Sequence, residues 1–158
     1  MQSDQKPSEL PEAGWKPIQF KTPFLDESGP YFVPAGPIDP LDKGSGGLAI
    51  RVVPDHVNYV GIAHGGVLAT FADVALSYEL YRLEPGGLPV VTLSMGVNYL
   101  AAARLGDWLT SEVRIDRRGR KVAHVSGRIL CGSTPIMTMT GVYNLLSAAA
   151  DGNAPKQG

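Results

Sequence analysis

Between Val67 and Leu80 the chain is predominantly apolar, with Val67, Leu68, Phe71, Val74, Ala75 and Tyr78 recurring at steps of three and four residues. That spacing predicts a largely buried helix, stopped by Pro85-Gly86-Gly87. A helix with so little polar surface cannot lie on the outside of a domain. Whatever else the chain builds must wrap around it.

The remaining sequence supplies the wrapping. Leu48, Ile50 and Val52 alternate as a first strand, and four longer strands are expected near 89–103, 107–117, 120–132 and 134–146. Val113 and Ile115 alternate with Glu112, Arg114 and Asp116, and Met137, Met139, Tyr143 and Leu145 with Thr138 and Thr140. Turns at Arg118-Gly119 and Gly132-Ser133 make antiparallel hairpins. One helix after one strand, followed by an antiparallel meander, predicts an α+β domain whose sheet wraps the helix. Residues 46–147 form that domain in this reading. Residues 1–45 are an extension that packs partly on it through Trp15, Phe20, Phe24, Tyr31 and Phe32, with a hinge at Gly44–Gly47. Residues 148–158 read as a frayed tail.

The helix start is unusual. Ser, Thr, Asp or Asn normally satisfies the free amides there, but this chain has Ala63-His64-Gly65-Gly66. Amides at the positive end of a helix dipole, on residues without a Cβ, suit a developing oxyanion. Within the helix stands Asp73, flanked by Phe71, Ala72, Val74, Ala75 and Leu76. Left unpaired among such neighbours, a carboxylate costs roughly several kcal/mol. Either it hydrogen-bonds a neighbouring hydroxyl or backbone group, or it is held there for chemistry. His64 and Asp73 are nine residues apart, about 13.5 Å along a helix and roughly half a turn around it. They cannot serve one reacting atom within one chain. If both ends of the motif act at one carbonyl, the acid comes from a second copy, which predicts a dimer with two shared sites.

At 158 residues and 44% hydrophobic content the chain fits one domain, and a net charge of −1 gives no reason to expect nucleic-acid binding. The polar, proline-bearing segment 1–12 does not resemble a signal peptide, and the apolar run broken by Asp73 is too short for a membrane span. The expectation is a soluble cytoplasmic protein. A single cysteine, Cys131, excludes an intrachain disulfide and a four-cysteine zinc site, and its strand setting suggests buried packing. His56 reads as a turn residue and His124 as a surface one.

Taken together, Asn58 six residues before His64-Gly65-Gly66, Asp73, Thr92 in Val90-Val91-Thr92-Leu93-Ser94-Met95, Asn98-Tyr99-Leu100, Gly106-Asp107 and the Arg117-Arg118-Gly119-Arg120-Lys121 turn resemble the hotdog-fold acyl-CoA thioesterases. The branch is that of the phenylacetate-degradation (PaaI-like) enzymes and their mammalian relatives, and the likeness runs from about Leu48 to Leu146. It implies a single hotdog domain that hydrolyses acyl-CoA to CoA and a carboxylic acid, as a homodimer or dimer of dimers, with no metal or other cofactor. By the same resemblance, the Gly65 amide polarises the thioester carbonyl and Asp73 of the other subunit activates water or attacks directly. Asn58 positions the water or the carbonyl, Thr92 orients the acid or the water, and His64 holds the turn. Arg117, Arg118, Arg120 and Lys121, with Arg104, are candidates for the CoA phosphates, although charged turns are also simply soluble. Thr92, Ser94 and Asn98 share one strand face by alternation, and only the resemblance ranks Thr92 above Ser94. Tyr78, Tyr81 and Met95 are expected to shape the acyl pocket.

Two other functions fit the fold. An enoyl-thioester hydratase or dehydratase pairs an acid with a histidine at spacings absent here. A non-catalytic acyl-CoA sensor would carry a DNA-binding segment, and the first 45 residues hold no helix-turn-helix candidate.

Overall fold

The computed structural model describes residues 10–37, 47–83, 87 and 89–146. The expected tail, most of the glycine hinge and Pro85-Gly86 of the helix stop lie outside the described residues.

Strands β1 (Trp15–Ile18), β2 (Tyr31–Pro34), β3 (Ala49–Arg51), β4 (Val90–Tyr99), β5 (Trp108–Arg118), β6 (Val122–Cys131) and β7 (Thr134–Leu145) form one antiparallel sheet in the order β1-β2-β3-β5-β6-β7-β4. A six-residue helix, α1 (Pro23–Ser28), joins β1 to β2, and the long helix α2 (Gly65–Arg82) lies between β3 and β4 in sequence. Leu68, Phe71, Ala72, Val74, Ala75, Leu76 and Leu80 of α2 are buried, together with Leu109, Val113, Val125, Ile129, Met137, Met139 and Tyr143 of the strands. Helix and sheet therefore share one core, which is the hotdog arrangement of an apolar helix held by an antiparallel sheet. None of the described helices is long and apolar enough to cross a membrane.

Two strands were not read from the sequence. β1 and β2 belong to the segment before residue 45, yet they continue the same sheet, with Tyr31 opposite Ile50 and Phe32 opposite Ala49. Each is four residues long, too short for alternation to show. Their aromatics do the anchoring: Trp15 and Phe32 pack on Trp108, and Phe20 meets Tyr31 and Tyr78 edge-on. Phe24 stays 66% exposed. Cys131 is half-buried, because it ends β6 beside the turn at Gly132, where φ is +59°.

A β-bulge changes the reading of β4. Thr92 pairs with Tyr143 but Ser94 pairs with Val142, so Leu93 is extra and the pleat changes face there. Thr92 and Met95 consequently line the same cavity, while Asn98 reaches Thr138 elsewhere. The common face expected for Thr92, Ser94 and Asn98 does not exist, and the bulge is the reason.

Candidate active site

Asp73 projects from the middle of α2, half-buried, into a cavity of about 910 Å³ that Thr92, Met95, Tyr78 and Tyr81 also line. The Thr92 hydroxyl donates to Asp73 Oδ1 at 2.8 Å, and the Tyr143 hydroxyl donates to the same oxygen at 2.9 Å. Oδ2 has no partner among the described residues. Tyr143 is wholly buried, and burial, followed by the Asp73 carboxylate beside it, pushes its hydroxyl well above the ordinary tyrosine range. It stays protonated and acts as a donor. Glu79, the other acid buried in α2, is neutralised by Arg82 at 2.6 Å. Asp73 has no cationic partner among the described residues, only the two hydroxyls. A carboxylate held by one oxygen in the lining of a cavity, with the other oxygen unpartnered, can take a proton or form a bond.

At the other end of the motif, His64 caps α2 through its backbone alone. Its N–H donates to His56 O at 2.8 Å, and its carbonyl accepts from Val67 and Leu68 at 3.0 and 3.2 Å. The amides of Gly65 and Gly66 have no acceptor among the described residues, and both glycines are exposed. Gly65 has a second reason to be glycine. A Cβ there would lie 3.2 Å from the Tyr99 hydroxyl, which donates to Gly65 O at 2.7 Å. The corresponding space at Gly66 is open. Asn58 turns inward on its own loop, its Oδ1 accepting from Val60 and Ile62 at 3.0 and 3.3 Å. In this chain the side chain shapes the approach to the helix.

His56, read from the sequence as a turn residue, is buried and bridges two segments. Its Nδ1 accepts from Val53 N–H at 3.3 Å, so Nε2 carries the proton and donates to Ser28 O and Gly29 O, both at 3.0 Å. Burial pulls its basicity down, against the partial rise from those two carbonyls. It ties the end of α1 to the loop that precedes Gly65.

The basic residues divide into two places. Arg117, Arg120 and Lys121 line a depression of about 570 Å³ with His124, at the β5–β6 turn, and Arg118 is exposed beside them. Arg104 bridges to Ile62, beside the loop before Gly65. The two places lie beyond opposite ends of β5, whose 11 residues span about 35 Å. One subunit does not bring both to one short ligand segment.

Tyr143 is the neighbour of Asp73 to which the sequence did not point, and Tyr99 stood there only within Asn98-Tyr99-Leu100, without a role. Alternation placed Tyr143 on the inner face, but nothing local links it to an acid 70 residues away.

A family model described as the thioesterase superfamily matches residues 60–137. A protein of Pseudomonas aeruginosa described as a candidate esterase is 34% identical over 136 residues, covering 86% of this chain and 97% of its own. The chain belongs to the thioesterase superfamily. Its fold is the hotdog fold, and the thioesterase is a thioester hydrolase. Human acyl-coenzyme A thioesterase 13 is 30% identical over 77 residues, 49% of this chain and 54% of that protein. A structure from Streptococcus pneumoniae described as a hypothetical thioesterase with coenzyme A matches at TM-score 0.64 and 27% identity, over 74% of this chain and 86% of its own. That protein has also been solved with one aspartate, and separately one threonine, replaced by alanine.

Proposed function

We propose that this thioesterase hydrolyses acyl-CoA to CoA and a carboxylic acid, at sites that each combine the Gly65 amide of one subunit with Asp73 of another. The observation that carries this reading is the carboxylate of Asp73, a residue lining the cavity, fixed through Oδ1 by Thr92 and Tyr143 while Oδ2 has no partner among the described residues. Oδ2 takes a proton from water as the water oxygen bonds to the thioester carbon. The carbonyl oxygen gains the negative charge and rests on the Gly65 amide. The C–S bond then breaks, and the CoA thiolate leaves and is protonated. In the rival route Oδ2 itself bonds to the carbonyl carbon as the C–S bond breaks and the CoA thiolate leaves and is protonated, giving an acyl-Asp73 anhydride that water then opens to the acid and free Asp73. His64 takes no part as a base, and Asn58 contributes by holding the loop.

Sharing between subunits follows from distance, since eight residues separate Gly65 from Asp73 on α2, about 12 Å. β4 supplies a surface for the partner. It is the last strand of the sheet, with Val91, Leu93 and Tyr99 exposed along it and Tyr59 and Val60 exposed in the loop before α2. An unpaired edge with that much apolar surface favours a two-fold copy of itself, and pairing of two such dimers remains within the proposal. Arg117, Arg118, Arg120 and Lys121 of one subunit and Arg104 of another are the proposed holders of the CoA phosphates. A solved relative holding coenzyme A supports the ligand class. The hydratase reading lacks support, because both partners of Asp73 are hydroxyls and neither is a histidine.

The test is thiol release from a panel of acyl-CoAs by wild type and Asp73→Asn. Loss of about 10²-fold or more in kcat, with the oligomer intact, is expected. Wild-type-like turnover in the variant removes Asp73 from the mechanism. Mixed dimers of Asp73→Asn with a Gly65 variant regain activity at one of their two sites if the sites are shared.

A further inference from the structure

We infer that a strap of residues 19–28, which carries α1, is the far wall of an acyl-tail pocket running along α2 from Asp73 to Tyr81, and that this pocket takes an uncharged straight chain of about ten bonds. The inference rests on the acyl-CoA reading above and specifies which acyl group the site accepts.

The cavity that contains Asp73 is bounded on one side by α2 and on the other by Phe20, Phe24 and Leu25 of the strap. Those three residues precede the stretch 60–137 that the superfamily model matches. Asp73 is the one charged side chain among the described residues lining the cavity. Two hydroxyls that could have made the walls polar are committed to their own helix. Thr70 donates to Gly66 O at 2.9 Å and Ser77 to Val74 O at 3.1 Å. Gln19, Tyr78 and Tyr81 bring the other polar groups of the lining and none is charged, so an acyl group with a charged end finds no counter-ion there.

Length follows from the helix. Asp73, Ser77 and Tyr81 stand one turn apart on a single stripe, and eight residues of rise separate the first from the last, about 12 Å. An extended chain advances about 1.2 Å per bond, as in a polypeptide backbone. The stripe is thus matched by about ten bonds beyond the carbonyl. At its far end the Tyr81 ring lies against Gly87, where a Cβ would overlap it at 2.3 Å.

The strap looks built for contact with a ligand. None of the six residues of α1 is buried, and Phe24 is 66% exposed although it lines the cavity. A short helix that buries nothing fully gains little from its own packing, and its apolar side chains gain most when a tail lies against them. It is nevertheless held in place, by His56 on the carbonyls of Ser28 and Gly29 and by Phe20 edge-on to Tyr31 and Tyr78.

The experiment measures kcat/KM for straight-chain acyl-CoAs from acetyl to palmitoyl, and for phenylacetyl-CoA, in wild type, Phe24→Ala and Ser77→Phe, with thermal melting and oligomer mass recorded for each. Wild type is expected to rise through octanoyl and decanoyl and fall by palmitoyl. Ser77→Phe, which fills the stripe one turn beyond Asp73, should lower the decanoyl-to-acetyl ratio at least about tenfold, and Phe24→Ala should lower it about fivefold. Phe24 is too exposed for its loss to unfold the protein, so that arm stands if Ser77→Phe folds badly. Unchanged length profiles in folded variants, palmitoyl as the best substrate, or phenylacetyl-CoA outrunning decanoyl-CoA each overturn the inference while leaving the hydrolase reading intact. Failure of wild type on every acyl-CoA overturns both.

Discussion

Thr92 and Tyr143 stand directly opposite each other across the β4–β7 ladder, and both hydroxyls end on the same oxygen of Asp73, at 2.8 and 2.9 Å. The sheet thereby aims a carboxylate that belongs to the helix. Because the two donors share one acceptor, their effects should not add. Thr92→Val and Tyr143→Phe are each expected to lower kcat about tenfold, and the double variant by clearly less than the product, with KM little changed. Steady-state thiol release on all four proteins checks this, and strict additivity would count against a shared role.

Gly65 and Gly66 look alike in the sequence and should behave differently. Gly65→Ala pushes a methyl toward the Tyr99 hydroxyl 3.2 Å away, disturbing the bond that steadies the start of α2. A loss of about 1 kcal/mol in stability is expected, with kcat at least about tenfold lower because the amide itself is re-aimed. Gly66→Ala meets open space and should be neutral or stabilising by up to about 1 kcal/mol. Paired melts and rates on the two variants separate these outcomes.

His56 makes stability depend on acid. Burial favours its neutral form in the fold, so its folded pKa lies below the ordinary value of 6.5 and the unfolded chain binds the proton more readily. The stabilisation is complete above 6.5 and is lost as pH falls below it. Urea midpoints should therefore drop between about pH 7 and pH 5. His56→Leu should be weaker by about 1–3 kcal/mol at neutral pH, with Val53 N–H left unpaired, and its acid slope should be shallower. An identical slope would place the acid sensitivity elsewhere.

The basic turn is tested through salt. Arg120→Ala combined with Lys121→Ala should raise KM for acyl-CoA about five- to tenfold at low ionic strength, with the difference shrinking toward about 0.5 M salt as screening grows. kcat should hold. If KM is unaffected at low salt, the depression lined by these residues is a solvated turn and no more.

The apolar run through α2 and the alternation in the later strands determined the architecture without help. An apolar helix must be covered, and a period of two repeated over ten or more residues has one compatible arrangement. Strands β5, β6 and β7 fall within a residue or two of where alternation puts them. Asp73 was legible for the same reason, as a charge out of place in an apolar run, and so was the uncapped start at Gly65. The short strands β1 and β2 were not, because four residues carry no periodic signal and are held by aromatic contacts with Trp108 and Phe20. Nor could the sequence separate Thr92 from Ser94, since a bulge at Leu93 turns one inward and the other away. The partners of Asp73, the grip of Tyr99 on Gly65 and the bridge from His56 to the strap join residues 19 to 70 positions apart. Local preference and periodicity act over a few residues along the chain. Which hydroxyl meets which carboxylate depends on how the sheet lies against the helix, and only the tertiary structure decided that.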